Sequence, residues 1–416
     1  MAQLTDDCFA FGSLMRIEDA VALIAERLPV LAGTEWLPLA QADGRIAADA
    51  VTALHDVPPF ANSAVDGYAV RHALLSADAE TVLPVAGRLA AGAAPDAVAA
   101  SGGAVRIFTG APMPEGVDTV FMQEDVRRAG DDVVLPAGLK RGANARVAGE
   151  DIAVGACAIP AGRRLRPQDL ALAAATGHDR IAVRTRLRVA LFSTGDELTE
   201  PGRPLAPGAI HDSNRVMLAA LLGRFGVAVS DLGILRDERD ALSARLAAAA
   251  RDHDLILTSG GVSTGEEDHV KAAVEAKGSL MFWRLAIKPG RPVAMGLVAG
   301  TPFVGLPGNP GAVYVTLLFV VRPLLARLGG AVEAPPIGQP VRAAFTYRKK
   351  AGRREFVRVR VATAADGVLE AWKYPREGAG VLTSLTESDG LVELADESVA
   401  VAAGDILTYY PHAALW

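Results

Sequence analysis

Apolar residues recur three and four apart over residues 14 to 32, where Leu14, Ile17, Val21, Ile24 and Leu28 predict an amphipathic helix that Pro29 limits. A weaker helical period runs from Ala40 to Ala53. The texture changes at Pro58-Pro59, which cannot continue a helix, and at the turn signal Asp66-Gly67. Short β runs then alternate with glycine and proline: Thr81 to Val85, Val105 to Thr109, Thr119 to Gln123 and Asp132 to Leu135. That spacing predicts a small all-β unit. Pro167 opens a helix over Gln168 to Thr176 that Gly177 closes. This segment is expected to return to the N-terminal helix, leaving one domain discontinuous in sequence.

From Arg188 the pattern becomes βαβ. Val189 to Ser193 is an apolar strand ending in Thr194-Gly195-Asp196-Glu197. Ser213 or Asn214 is placed to cap a helix through Phe225, with Gly226 just past its end. A strand from Val227 to Leu235 follows, and Asp237 is placed to cap the helix running to Arg251.

The chain is organised around Asp254 to Gly311. There Leu255-Ile256-Leu257 breaks into Ser259-Gly260-Gly261-Val262-Ser263, and Glu266, Glu267 and Asp268 open a helix through Ala276. Phe303 to Leu306 then turns through Pro307-Gly308-Asn309-Pro310-Gly311 into a long apolar helix. The alternation predicts a parallel sheet with helices on both faces and a ligand edge at the strands' carboxyl ends.

Past Gly329, Ala334-Pro335-Pro336 reads as a linker to short alternating strands over residues 341 to 412. The expected organisation is multidomain α/β. Residues 14–56 and 143–187 form an elongated, discontinuous N-terminal α+β domain, with a small β domain, 57–142, inserted. A central parallel α/β domain spans 188–330 and a β-barrel-like domain 331–416.

The glycines of Ser259-Gly260-Gly261 can present backbone N–H groups to a phosphate or carboxylate, helped by the following helix dipole. The same residues also make an ordinary strand-to-helix turn, and neither dinucleotide nor P-loop spacing is present. Glu197, Asp237 and Asp268 follow three different strands, so the alternation would bring them to one edge, where hard oxygen ligands suit Mg2+. Singly, each reads as a helix cap or a solvated charge. Lys288-Pro289-Gly290-Arg291-Pro292 holds two cations in a stiff frame, a point charge and a planar fork that favour an oxyanion. Asp66 and Thr109, taken alone, read as turn residues. The 7 histidines show no metal spacing, and no Ser-His-Asp order stands out.

A chain of 416 residues is long enough for about three domains. The formal net charge of −6 argues against a nucleic-acid scaffold, because phosphate backbones select basic surfaces. Its 2 cysteines, Cys8 and Cys157, form no C-x-x-C pair and fit a reducing compartment. Met1 to Phe11 lacks a basic, apolar leader pattern. The longest apolar run, Ala312 to Val321, is about half the ~20 residues that span a bilayer and stops at Arg322-Pro323. A cytoplasmic protein without membrane or nucleic-acid partners is expected.

Together the segments PPFANSAVDGYAV, RIFTGAPMPEGVDTVFMQED, GEDI, STGDEL, DSNR, TSGGVSTGEEDHV, AIKPGRP and GLPGNP resemble, in order, the molybdopterin molybdenumtransferase family, called MoeA in bacteria and the E domain of gephyrin in animals. The resemblance covers about residues 14 to 412. It implies a four-part L-shaped subunit with a central MogA-like, molybdopterin-binding α/β domain, and a homodimer with active sites between subunits. The implied reaction inserts molybdenum from molybdate into adenylylated molybdopterin and releases AMP, with Mg2+ assisting and a molybdopterin adenylyltransferase acting upstream.

By motif, the resemblance assigns the acidic and polar set to Thr109, Asp151, Glu197, Asp237 and Asp268, and adds Asp66. It assigns the molybdate pocket to Ser263, Lys288, Arg291 and Pro292, completed by Arg358 and Ser384. The chain departs from the family pattern at three places. Ala61 stands where Asp is usual, Arg291 where Lys is common, and Ala379 near a position where serine is often found. Two other readings stand beside the insertase: a non-catalytic binding or scaffold protein of the same fold, and an enzyme sharing only the central domain, such as a nucleotide pyrophosphatase or amidase. The Pro-Pro-Phe motif and the N-terminal β insert oppose the last.

Overall fold

The structure, a computed structural model, describes residues 14–94, 102–236, 239–261 and 269–416. The central sheet runs Ala228–Leu235, Arg188–Thr194, Leu255–Ser259, Thr301–Leu306, Pro292–Val298, Gly278–Arg284. Its first four strands are parallel, as the alternation predicts. The last two are antiparallel, extending the expected parallel sheet into a mixed one. Residues 278 to 298 fold back on themselves there, and the approach is close: a Cβ on Gly278 would lie 1.9 Å from the Leu297 carbonyl oxygen.

Leu255–Ser259 is buried throughout because both faces of the sheet are covered. One face packs Leu191, Leu257 and Val304 against Leu218, Val313 and Leu317. The other packs Phe192, Ile256 and Phe303 against Leu242, Leu246 and Val270. The helix after Asn309 runs through Arg322-Pro323 and continues to Gly329. A π-helical segment, Leu317–Val321, precedes the proline and is where the backbone pattern adjusts. At 20 residues this helix is long and apolar enough to cross a membrane, but 72% of its apolar window is buried inside the protein, which makes it the core helix of the α/β domain.

The helix Ile17–Arg27 forms where predicted, but it belongs to a different core from the one expected. Ile17, Ala20 and Ile24 pack with Leu324 and Leu328 of the long helix, so this segment joins the α/β domain and not the N-terminal unit. Its apolar stripe found the larger apolar surface.

The N-terminal unit is held by Thr34–Pro38 pairing with Arg180–Arg184 and Val51–Thr52 with Cys157–Ile159. The helix expected over Ala40 to Ala53 is absent; only a single 3-10 turn forms at Leu39–Gln41. Gly44 there adopts φ +70°, and the alanines mimicked a helical period while serving as small buried residues, with Ala42 and Ala47 fully enclosed.

Thr119–Met122, Gly67–Val70, Ala104–Ile107, Thr81–Leu89, Asp132–Leu135 and Arg127–Ala129 make the inserted sheet. In the C-terminal unit, Arg354–Thr363 pairs with both Leu369–Lys373 and Gly390–Leu394. Gln339–Ala343 and Ile406–Pro411 complete the ring, giving a small closed barrel. Arg354 and Glu355 also pair in parallel with Ile287 and Lys288, which carries the barrel to the ligand edge of the α/β sheet.

Candidate functional site

Three loops meet at the carboxyl edge of the central sheet: Thr194 to Glu197, Ser259 to Gly261, and Pro307 to Asn309. Asn214 ties them together, its Nδ2 donating to Ser259 Oγ at 3.0 Å and to the Gly308 carbonyl at 2.6 Å. The cap of that helix is Asp212, one residue before the expected Ser213 or Asn214, and it accepts from the Arg215 N–H. This frees Asn214 for the loops. Gly260 and Gly261 adopt φ +86° and +65°, and a Cβ on either would lie 2.5 or 2.4 Å from Thr194 atoms. Only glycine lets the two loops approach this closely.

The barrel closes the other side, and between them lies a cavity of ≈ 750 Å³. Of the sequence-predicted residues, Glu197, Gly260, Gly261, Lys288, Arg291 and Pro292 line it from the α/β domain, and Arg358 from the barrel. Ser259 and Ser384 stand behind the wall, both buried. Ser384 Oγ accepts from Arg358 Nε at 3.0 Å while Arg358 Nη2 donates to the Gly378 carbonyl at 2.9 Å, so two bonds fix that guanidinium. Asp237, Ser263 and Asp268 lie outside the described residues. Thr109, Asp66 and Asp151 do not line this cavity. Asp66 Oδ1 instead accepts from both the backbone N–H and the hydroxyl of Thr109 at 2.8 Å, in the inserted β unit. Asp151 sits in a loop whose N–H donates to the Val57 carbonyl.

The structure adds residues that the pattern did not single out. Lys288 Nζ donates to Tyr347 Oη at 2.9 Å and to Glu355 Oε2 at 3.1 Å, and the tyrosine hydroxyl donates to the same carboxylate oxygen. Burial would lower the Lys288 pKa, but these bonds and the Glu355 charge raise it above its ordinary value, so the ammonium stays charged. Lys373 faces the Tyr347 ring at 5.4 Å and pairs with Glu377. Burial depresses the Arg358 pKa, with Tyr347 and Glu377 pulling the other way. A half-buried guanidinium, two lysines and Arg291 set several cations along this wall, two of them partnered by Glu355 and Glu377, a setting for an oxyanion. Sequence alternation cannot reveal Tyr347 or Lys373, because only barrel closure brings them to the loops.

Among the described residues no three His, Cys, Asp or Glu side chains cluster as a ready-made metal cage. Asp196 and Glu197 nevertheless stand at the cavity wall beside the glycine loop. That donor set fits Mg2+, which takes one or two carboxylates together with water and substrate phosphate.

Comparisons with known proteins agree in extent. Residues 15–177 match the MoeA N-terminal region (domain I and II), 190–327 a probable molybdopterin binding domain, and 340–412 the MoeA C-terminal region (domain IV). A molybdopterin molybdenumtransferase of Haemophilus influenzae is 37% identical over 96% of this chain and 98% of its own length. Molybdopterin molybdenumtransferase 2 of Mycobacterium tuberculosis is 37% identical over 88% of this chain and 92% of its own. The crystal structure of the molybdopterin biosynthesis moeA protein from Pyrococcus horikoshii superposes with a TM-score of 0.81 at 28% identity, covering 96% of this chain and 100% of that one. The chain belongs to the molybdopterin molybdenumtransferase, or MoeA, family.

Proposed function

We propose that this chain acts in molybdenum cofactor synthesis as a transferase that inserts molybdenum from molybdate into adenylylated molybdopterin and releases AMP, in the cytoplasm. The observation carrying this reading is the convergence of Lys288, Arg291 and Arg358 with the Gly260-Gly261 backbone in one cavity. Arg358, locked by Ser384 and Gly378, offers a planar fork to a tetrahedral dianion, and Lys288, locked by Glu355 and Tyr347, offers a point charge. The loop is held against Thr194, and because the Gly260 N–H already donates to the Leu306 carbonyl at 3.1 Å, the Gly261 amide is the one we assign to the phosphate end of the substrate. Glu197 and Asp196 would hold Mg2+, which supplies charge neutralisation on the pyrophosphate when bound.

The acidic and polar group of Asp66, Thr109 and Asp151 is absent from the chain's own cavity. We propose that a homodimer brings this face of one protomer to the cavity of the other, and that a molybdopterin adenylyltransferase supplies the substrate.

A non-catalytic binding protein is the second reading, and Ala379 favours it, because it lines the cavity near a position where relatives are expected to carry serine. The two readings separate when the protein is incubated with adenylylated molybdopterin, molybdate and Mg2+ and the pterin fraction is analysed for molybdenum. Molybdenum in the pterin fraction, lost in Arg358→Ala, supports the transferase. Bound pterin without molybdenum supports the binding protein.

A further inference from the structure

A second cavity, ≈ 210 Å³, lies where the N-terminal unit, the long core helix and the chain's last residues meet. It is too small for a drug-sized ligand and several times larger than the ~30 Å³ share of one water. Arg45, Arg164, Arg184, Arg186, Arg224 and Arg322 line it, against one acidic side chain, Glu333. Guanidiniums do not gather without cause, since like charges in a partly enclosed space repel.

Three of the six have an acidic partner, though the Arg322 Nη1 is buried without one. Arg45 bonds Glu35 at 2.5 Å and the Arg184 carbonyl. Arg164 bonds Glu333 at 2.6 Å and donates to the Gly44 and Phe225 carbonyls, which meets the demand of the nearby helix C-terminus. Arg322 reaches Glu333 at 3.7 Å. Arg184, Arg186 and Arg224 form no ion pair among the described residues. Arg184 donates only a long bond of 3.4 Å to the Ala48 carbonyl, and Arg224 lies over the Trp416 ring at 5.2 Å, which orients it without neutralising it.

We propose that this cavity is a second anion site, distinct from the first, that takes a small tetrahedral oxyanion of the phosphate, sulfate or molybdate class. Arg184, Arg186 and Arg224 supply charge-assisted donors, with Thr185 between two of them at the wall. An anion held there is bound by residues of the N-terminal unit and of the α/β domain together, so it fastens the seam and stabilises the folded chain by mass action.

Equilibrium dialysis with labelled phosphate, sulfate and molybdate, at ionic strength held constant with potassium chloride, tests this on the full chain. Arg358→Gln weakens anion binding at the first cavity, and Arg186→Gln with Arg224→Gln weakens it at the second. Both second-cavity arginines are exposed, so the double variant is expected to fold and to retain molybdenum transfer. The expected result is one anion site that persists in Arg358→Gln and weakens at least about tenfold in the double variant, with Arg224→Gln alone intermediate. The relative affinities of the three anions identify the natural occupant. Binding that disappears entirely in Arg358→Gln, or is unchanged in the double and single second-cavity variants, overturns the proposal.

Discussion

The ammonium of Lys288 lies 3.1 Å from the carboxylate of Glu355, a side chain only 1% exposed, across the junction between the α/β domain and the barrel. The same carboxylate accepts from Arg353 Nε at 2.9 Å through its other oxygen. One buried anion therefore positions a cavity lysine and anchors the barrel's long strand to it. Glu355→Gln keeps the shape and removes the charge. The expected loss is about 1–3 kcal/mol of stability, read from urea unfolding, because Lys288 and Arg353 lose a charged partner. Tyr347→Phe, which deletes one hydroxyl from the set, is expected to cost about 1 kcal/mol.

Arg358 is held in a fork geometry by Ser384 and Gly378. Arg358→Lys preserves the charge but not the fork. The apparent KM for molybdate is expected to rise about tenfold or more, equivalent to about 1.4 kcal/mol, with the fold and melting temperature unchanged. Ser384→Ala, which releases only one of the two restraints, is expected to have a smaller effect in the same assay.

Gly260→Ala is expected to be more damaging than an ordinary loop substitution. Its φ of +86° costs an L-residue about 1–2 kcal/mol, and the new Cβ would stand 2.5 Å from the Thr194 carbonyl oxygen. Substrate affinity, measured by fluorescence quenching of bound pterin, should fall with stability, because the Gly260 N–H bond to the Leu306 carbonyl and the neighbouring Gly261 amide move with the loop.

His412 carries a pH prediction. Burial lowers its pKa from 6.5 to about 4, with the Asp389 charge opposing. Its Nδ1 lies 2.6 Å from the Tyr314 hydroxyl and its Nε2 3.0 Å from Ser388 Oγ. The unfolded chain binds this proton more tightly than the folded one. Stability is therefore lost as pH falls from about 6.5 to about 4, and the slope ends below that, with up to ~3 kcal/mol involved. Urea midpoints at pH 7 and pH 5 should differ in the wild type and converge in His412→Asn.

Much of this site was legible because strand-end loops and glycines leave a local signature. Thr194 to Glu197 and Ser259 to Gly261 end apolar strands in glycine, and Lys288 to Pro292 is a stiff frame of proline and glycine; all three contribute residues to the wall of one cavity. What could not be read was long-range. Tyr347, Lys373 and Glu355 reach the cavity only because Arg354 and Glu355 pair with Ile287 and Lys288, a contact that no local period encodes. The helix Ile17–Arg27 was legible as a helix, yet its docking partner was not, since an apolar stripe specifies that it will be buried without saying where. The false helix over Ala40 to Ala53 had the opposite cause: alanine satisfies any period and any tight space.

The most direct test of the central claim is AMP release from adenylylated molybdopterin by the wild-type chain with Mg2+, with and without molybdate, beside Asp268→Ala and Ala61→Asp. The account predicts molybdate-dependent release by the wild type that is lost in Asp268→Ala. A wild type that binds the substrate and releases no AMP, with release appearing in Ala61→Asp, would contradict it.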